Sequence, residues 1–388
     1  MITRRAMLAA AGASLATLGT SQAARAFDSP FAATTTFGVL APFTGPDKYA
    51  GEQLANGVRA AIEDSNRSRG QLDRVYILRT FDDENSVASA IVNSQFAASD
   101  GNIIAVIGHL GGRATEAALR TYGPVAMPVI VPTSSYDKIT AEGYRNVFRL
   151  ATRDSDEGKL AARFVIETIK PKNVYVLVAD GDYGYDVAQT FTQTLSSQKV
   201  PWNSSLFAFD KPEFPKLAAT VLAAKPDYVY LCGATAEMGE VIPLLRKGGY
   251  AGPLGAPQGF FTADTIRKYS TGVEGLIVST SMPYLAIAPA AHRVMTDFEA
   301  RYGTFTPLSA FGYASAQLIM NAIRRGGAPN RLALARTLAT GGSFDTVVGT
   351  FTFGPTGDTV DPNLYFYTVR EGKWAFVRSA HPSSFLSR

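Results

Sequence analysis

Residues 103–122 read IIAVIGHLGGRATEAALRTY. Ile103 to Gly108 is a short apolar run rich in β-branched side chains, the composition of a strand, and it stops at a glycine. Gly111 and Gly112 then interrupt the chain, and from about Ala114 to Tyr122 the apolar residues recur at helical spacing. One strand, one glycine-rich loop and one helix follow each other, which is the repeating unit of a parallel α/β sheet. From Phe37 onward the chain repeats it. Phe37 to Ala41 precedes a helical stretch from about Tyr49 to Ser65, Val75 to Phe81 precedes one from about Ser86 to Ala98, and Val129 to Pro132 closes the series.

After Asn146 to Ala151 the pattern starts again. A helix is expected over Ser155 to Ile169, a strand at Val174 to Ala179, a helix from about Asp186 to Ser196, and a strand near Leu206 to Phe209. A helix over Phe214 to Ala224, a strand at Tyr228 to Cys232, a helix over Met238 to Gly248 and the apolar run Gly275 to Met282 complete a second series. Three helical patterns follow, at about Pro289 to Tyr302, Ala310 to Arg325 and Arg331 to Leu338. The tail changes character: Gly349 to Phe353, the turn Gly354-Pro355-Thr356-Gly357, Tyr365 to Val369 and Trp374 to Val377 read as antiparallel strands and hairpins. Two doubly wound α/β bodies with mainly parallel sheets are therefore expected. No low-complexity linker separates them.

The N-terminus reads as an export signal. Thr3, Arg4 and Arg5 open it, a small apolar run extends from Ala6 to about Leu18, and Ala24-Arg25-Ala26 is an A-x-A cleavage pattern, so residues 1–26 are expected to be removed. The paired arginines also fit the twin-arginine route, with an ordinary Sec signal as the other reading. The apolar run is too short to span a bilayer, and no later stretch reaches about 20 apolar residues without charges. Without the signal the chain has 362 residues, more than one core usually serves. The net charge of +4 then falls close to zero, because Arg4, Arg5 and Arg25 leave. That balance speaks against a nucleic-acid surface. Cys232 is the sole cysteine and reads as a small core residue within Tyr228 to Cys232.

An ordered series of short motifs now carries a resemblance. They are Pro42-Phe43-Thr44-Gly45-Pro46, Gly51 and Gly57, Asp82-Asp83, Val106-Ile107-Gly108-His109 and Pro132-Thr133-Ser134-Ser135. Then come Gly143-Tyr144-Arg145-Asn146-Val147-Phe148-Arg149, Asp182-Tyr183-Gly184-Tyr185, Glu237-Met238-Gly239, Glu274-Gly275, and Gly349 with Phe353 and Gly357. With these the chain resembles the type I periplasmic binding proteins, in the branched-chain amino-acid binding family of ABC importers, over nearly its whole mature length. The resemblance implies two lobes joined by three hinge crossings, near Phe148 to Ala151, Thr280 to Pro283 and Val348 to Phe351. Lobe one would hold residues 33–149 and 283–348, and lobe two residues 150–282 and 349–388.

The same resemblance points to loops that follow strands as a solute site. Gly112, Arg113 and Thr115 open a helix whose N–H groups and dipole suit an anion, although relatives carry serines there and this chain keeps only Thr115. Arg113 is able to contact a carboxylate in a bidentate manner, or to lie solvated in the first turn. Ser134 and Ser135 match ligand-contacting positions, with helix capping as the alternative. Tyr183 matches an aromatic that packs on the ligand from the second lobe. Gln258 stands where relatives place an acid for an ammonium group; a neutral amide does not pair a buried cation, so a standard amino acid is disfavoured in favour of a carboxylate or uncharged solute, aromatic or amide. Phe43, Tyr49, Phe260 and Phe261 are candidate aromatic walls, with packing of their loops against their own lobe as the alternative, and His109 either touches the ligand or is a satisfied structural histidine.

Catalysis finds little material. His109, His292 and His381 lack metal spacing, and no G-x-S-x-G, P-loop or first-strand G-x-G-x-x-G occurs. Asp82 and Asp83 are adjacent strand residues and so point to opposite faces. The expected protein is a non-enzymatic, monomeric periplasmic binder without cofactor or metal, delivering a small solute to a membrane ABC permease. The alternatives are a sensing module for a signalling receptor and a secreted α/β enzyme.

Overall fold

The computed structural model describes residues 33–68, 74–208, 213–285, 289–326 and 329–380. Residues 1–26, expected to be a signal, and Phe209 and His381 lie outside them. The first half runs β1 (Ala33–Ala41), α1 (Lys48–Arg67), β2 (Arg74–Asp82), α2 (Val87–Ser99), β3 (Ile103–Gly108), α3 (Gly112–Tyr122), β4 (Val129–Val131), α4 (Lys138–Ala141) and β5 (Val147–Arg149). These strands form one sheet in the order β2-β1-β3-β4-β5, all parallel.

The second half runs α5 (Asp154–Phe164), β6 (Val174–Ala179), α6 (Asp182–Ser197), β7 (Trp202–Phe207), α7 (Phe214–Ala223), β8 (Tyr228–Cys232), α8 (Thr235–Met238), α9 (Val241–Lys247), β9 (Leu254–Ala256), α10 (Ala263–Tyr269) and β10 (Ile277–Thr280). Then come α11 (Pro289–Tyr302), α12 (Pro307–Gly326), α13 (Arg331–Thr340), a hairpin of β11 (Phe344–Thr346) and β12 (Gly349–Phe351), and a second hairpin of β13 (Leu364–Arg370) and β14 (Lys373–Ala380). The second sheet is ordered β14-β13-β10-β9-β8-β6-β7, with only β13 and β14 antiparallel to their neighbours. Its parallel part repeats the order of the first sheet. In each, the chain winds outward in both directions from one strand pair, β1/β3 and β6/β8, and that reversal leaves a crevice at the carboxyl ends.

Each sheet is covered on both faces. On the first, β1 side chains such as Phe37 and Val39 meet α1, α12 and α13, while Val106 and Val129 meet α3 and α4. On the second, Leu177 and Leu231 meet α7 and α9, while Val176 and Tyr230 meet α5 and α6. The three helices α11 to α13, which follow the last parallel strand of the second sheet, therefore return to close the first. A close crossing of α1 and α12 makes this possible. A Cβ on Gly57 would lie 2.0 Å from the Ser309 carbonyl oxygen, and one on Gly312 would lie 2.3 Å from that of Leu54.

Four departures from the expected elements have local causes. The helix expected over Met238 to Gly248 is two helices, α8 and α9, broken where Gly239 packs on the Tyr269 ring. Strand β7 begins at Trp202, because it is an edge strand with mostly exposed side chains and shows no apolar run. β9 and α10 were not expected; β9 is only Leu-Gly-Ala. The fourth concerns Phe351 and Phe353, expected with the second body. They pack in the first sheet's core, where the Phe353 ring meets Phe148 edge-on at 5.2 Å, and the chain passes to β13 only beyond Thr359.

One buried cation fastens that passage. Arg149 ends β5 and is fully buried. Its Nε and Nη2 donate to Asp358 Oδ1 at 2.8 and 2.6 Å, Nη1 donates to the carbonyls of Ser135 and Tyr136 at 3.0 and 2.7 Å, and Nη2 donates to Thr140 Oγ1 at 2.6 Å. The Arg149 backbone N–H also donates to the Gly357 carbonyl, so the returning segment pairs alongside β5. Gly357 has φ +85°, and a Cβ there would lie 1.9 Å from the Val147 carbonyl oxygen, so glycine is required twice over.

Two substitutions test this packing. Arg149→Leu strands Asp358 and two buried carbonyls and is expected to cost about 3 kcal/mol or more in urea denaturation; a loss below about 1 kcal/mol contradicts the clamp. Helix propensity alone favours Gly57→Ala by about 1 kcal/mol, whereas the contact with Ser309 calls for a net loss of about 1–3 kcal/mol.

Candidate ligand-binding site

A cavity of about 420 Å³ opens between the carboxyl ends of the two sheets. From the first come Leu110, Gly112 and Arg113 after β3, and Thr133, Ser134, Ser135 and Tyr136 after β4. From the second come Asp154 at the start of α5, Tyr183 at the start of α6, and Gln258, Gly259 and Phe261 after β9. Thr280, which ends β10, Met282 on the crossing after it, and Pro307, Leu308 and Phe311 of α12 complete it. A body of apolar wall with a few polar groups is the usual make-up of a small-molecule site.

The polar groups are arranged with opposite character on the two sides. α3 starts at the cavity without a side-chain cap, so the N–H groups of its first turn have no acceptor within the helix. A Cβ on Gly112 would lie 2.6 Å from that of Tyr136, so the glycine lets the helix begin against this ring. Arg113 and the mostly buried Ser134 and Ser135 stand on the same side. Together they form an anion-favouring wall.

The other wall carries acids. Asp154 is 1% exposed, its N–H donates to the Ser135 carbonyl at 3.0 Å, and its Oδ1 has no hydrogen-bond partner. Burial pushes its carboxyl well above the usual carboxylate range; the Ser135 side chain opposes this, and the charges of Glu157, Asp137 and Asp186 add to it. One turn on, Glu157 is also 1% exposed. Its Oε1 accepts from Ser279 Oγ at 2.7 Å and from the Gln258 backbone N–H at 2.9 Å, and burial pushes its carboxyl up to about 7. The Tyr183 hydroxyl accepts from the Gly259 N–H at 3.0 Å. Phe261 reaches the cavity with its ring braced on Tyr367 and Trp374, at 4.6 and 5.1 Å.

Of the residues singled out from sequence, Tyr183, Ser134, Ser135, Gly112, Arg113, Gln258 and Phe261 line the cavity, and Thr115, His109, Phe260, Phe43 and Tyr49 do not. Thr115 is buried with Oγ1 donating to the Gly111 carbonyl at 2.7 Å, so it closes the turn into α3. His109 is buried between Asp83 Oδ2, 2.6 Å from Nδ1, and the Tyr122 hydroxyl, 3.2 Å from Nε2. Its ring is thereby satisfied as a structural histidine. Phe260 lies in the core of the second sheet, and Phe43 packs on that of the first. Tyr49 is 61% exposed on α1. Asp82 and Asp83 diverge: Asp82 accepts from the Phe43 N–H and the Thr44 hydroxyl, while Asp83 faces His109.

Asp154, Leu110, Tyr136 and Phe311 were missed. An acid at a helix start reads from sequence as a dipole partner, and α12 lies 150 residues further on, with nothing local to link it to these loops. Asp137, Asp154 and Asp186 bring carboxylate oxygens within 4.8 Å of one another, ligand atoms of the kind a divalent cation takes. Asp137 already accepts from the Ser155 N–H. Cys232 is buried in β8, where burial pushes its thiol up and keeps it unreactive.

This arrangement has close counterparts. The family model described as periplasmic binding protein matches residues 34–373. A Leu/Ile/Val-binding protein homolog of Brucella melitensis is 26% identical over 89% of this chain and 94% of its own. Among solved structures, the branched-chain amino acid transporter substrate-binding protein of Streptococcus pneumoniae in complex with isoleucine superposes with a TM-score of 0.81 at 20% identity, over 90% of this chain and all of that one. The solute-binding protein of an ABC transporter from R. palustris, in complex with benzoate, gives 0.76 at 21% identity over 90% and 97%. A family match over most of the length, joined to two sheets that meet at their strand ends, makes this chain a member of the type I periplasmic binding proteins of the branched-chain amino-acid family.

Proposed function

We propose that the protein is the substrate-binding component of an ABC importer, exported to the periplasm by its N-terminal signal and acting as a monomer that hands a small solute to a membrane permease without chemical turnover. The observation that carries this reading is a single cavity built from the strand ends of both sheets. A solute there touches both bodies at once and so favours the closed arrangement by its differential contacts. The described residues divide into one body within 33–149 and 281–359 and another within 150–280 and 364–380, with the passages at Leu150, Ser281 and Val360 serving as hinges. Backbone and side-chain bonds between Thr152 and both Ser281 and Asn363 lie where these passages meet. No helix of the described residues is long and apolar enough to cross a membrane.

The cavity's two walls also narrow the solute. The α3 start with Ser134 favours a carboxylate, and the buried Oδ1 of Asp154 needs a hydrogen-bond donor, because an unpaired buried acceptor is costly. Between them lies an apolar body of Leu110, Phe261, Met282 and Phe311. A small carboxylate with an aliphatic or aromatic middle and an N–H or O–H donor fits these features. Gln258 is neutral, so Asp154 is the acid that meets the donor.

A thermal-shift screen of residues 27–388 tests both levels. Paired acids with and without a donor separate them: leucine against 4-methylpentanoate, and 3,4-dihydroxybenzoate against benzoate. A solute at about 100 times its Kd stabilises the fold by about 2.7 kcal/mol. The donor-bearing member of a pair is expected to give the larger shift, and Asp154→Asn is expected to lower its affinity about tenfold or more while changing that of its donor-free partner little. Equal shifts within each pair, unaffected by Asp154→Asn, contradict the assignment of Asp154. Tyr183→Ala is expected to weaken every solute that binds, by about tenfold, in the same assay.

A further inference from the structure

Among the described residues, five buried side-chain polar atoms lack a hydrogen-bond partner, and three of them belong to Asp154, Glu157 and Tyr230. Asp154 and Glu157 stand one turn apart on α5, and the hydroxyl of Tyr230, on β8, lies within the field of the Glu157 charge. Unpartnered groups are thus concentrated behind one wall of the cavity. Asp154 lines that wall, while Glu157 is buried and is not among the residues that line it. What Glu157 does touch is the turn that bears Gln258, Gly259 and Phe261. Its Oε1 holds the Gln258 N–H and the Ser279 hydroxyl of β10, and the next N–H, of Gly259, is held by Tyr183. Two successive backbone N–H groups of a cavity-lining turn are therefore fixed by side chains from two different helices, α5 and α6.

We propose that Glu157 is a positioning residue of the ligand cavity: its buried carboxylate pins the Gln258 to Phe261 turn to α5 and β10, and its protonation loosens that turn and weakens solute binding. The inference rests on reading this cavity as the solute site. The groups that face Glu157 are Asp154 on its own helix, Tyr183 on α6, Tyr230 and Cys232 on β8, Gln258 after β9 and Ser279 on β10, none of them basic. With no cation beside it among the described residues, burial raises its carboxyl to about 7, so its charge changes across the neutral range. As the anion it accepts a charge-assisted bond from Gln258; as the acid it accepts a weaker neutral one. Affinity for a donor-bearing solute is therefore expected to rise with pH through about 7, by about tenfold.

The test uses the ligand-free mature protein, labelled with ¹⁵N, and reads the Gln258 and Gly259 amide resonances between about pH 5.5 and about pH 8.5. In the wild type the Gln258 amide is expected to titrate with a midpoint near 7. In Glu157→Gln, whose amide oxygen still accepts from Gln258, the turn is expected to stay in place and the titration to vanish. In Glu157→Ala, hydrogen exchange at Gln258 is expected to accelerate about tenfold or more, against about threefold or less in Glu157→Gln. A Gln258 amide that does not titrate, or that titrates alike in wild type and Glu157→Gln, overturns the proposal. Should the alanine variant not fold, the glutamine variant's titration alone decides. Because no solute is present, these outcomes are independent of the thermal-shift screen, which judges the cavity itself.

Discussion

A guanidinium with no access to water holds the two ends of this molecule's logic together. Arg149 closes the last strand of the first sheet, and its donors go to Asp358 on the returning chain, to Thr140, and to the carbonyls of Ser135 and Tyr136. Removing such a charge from water costs several kcal/mol unless every donor is matched. Here the matching groups come from the loop that lines the cavity and from the segment on which the chain leaves for the second sheet. The wall of the cavity and the passage between the bodies are thereby parts of one hydrogen-bonded unit, and neither is able to shift without exposing an unpaired group.

The position of the cavity follows from the topology. Parallel strands must be joined by helices that cross back over a sheet face, so every strand in a body ends on the same side, and the loops that follow collect there. Two such bodies with the same strand order, joined near those ends, bring two sets of loops into opposition. Their chemistry differs because their helix starts differ. α3 begins with Gly112, which leaves backbone N–H groups unshielded, while α5 begins with Asp154 and carries Glu157 in its first turn. A helix start tolerates buried carboxylates because its dipole favours negative charge. The outcome is a cavity with a donor-rich side and an acceptor-rich side.

Much of this was legible in the residues. The strand cores Ile103–Gly108, Val174–Ala179 and Tyr228–Cys232 stand where the apolar runs place them, because strands buried on both faces have no polar alternation to blur their ends. The edge strand β7 was blurred for the opposite reason. Residues close after strand ends, Ser134 and Tyr183 among them, stand at the cavity because topology alone brings them there. Side-chain directions set by packing were less legible: Phe260 turns into the core while Phe261 turns out, and Asp154 lies buried at the cavity wall, whereas His109 turns inward to Asp83 and Tyr122, the structural alternative that its sequence reading left open. Sequence spacing carries no record of which of two adjacent rings faces the solvent side of a turn.

The most direct test of the whole account is a crystal structure of the mature protein grown with the solute that stabilises it most. That solute is expected between the two sheets, its carboxylate at the start of α3 beside Ser134 and its donor against Asp154, with Tyr183 packed on its body. A solute bound to one body only, or seated away from these strand ends, would contradict it.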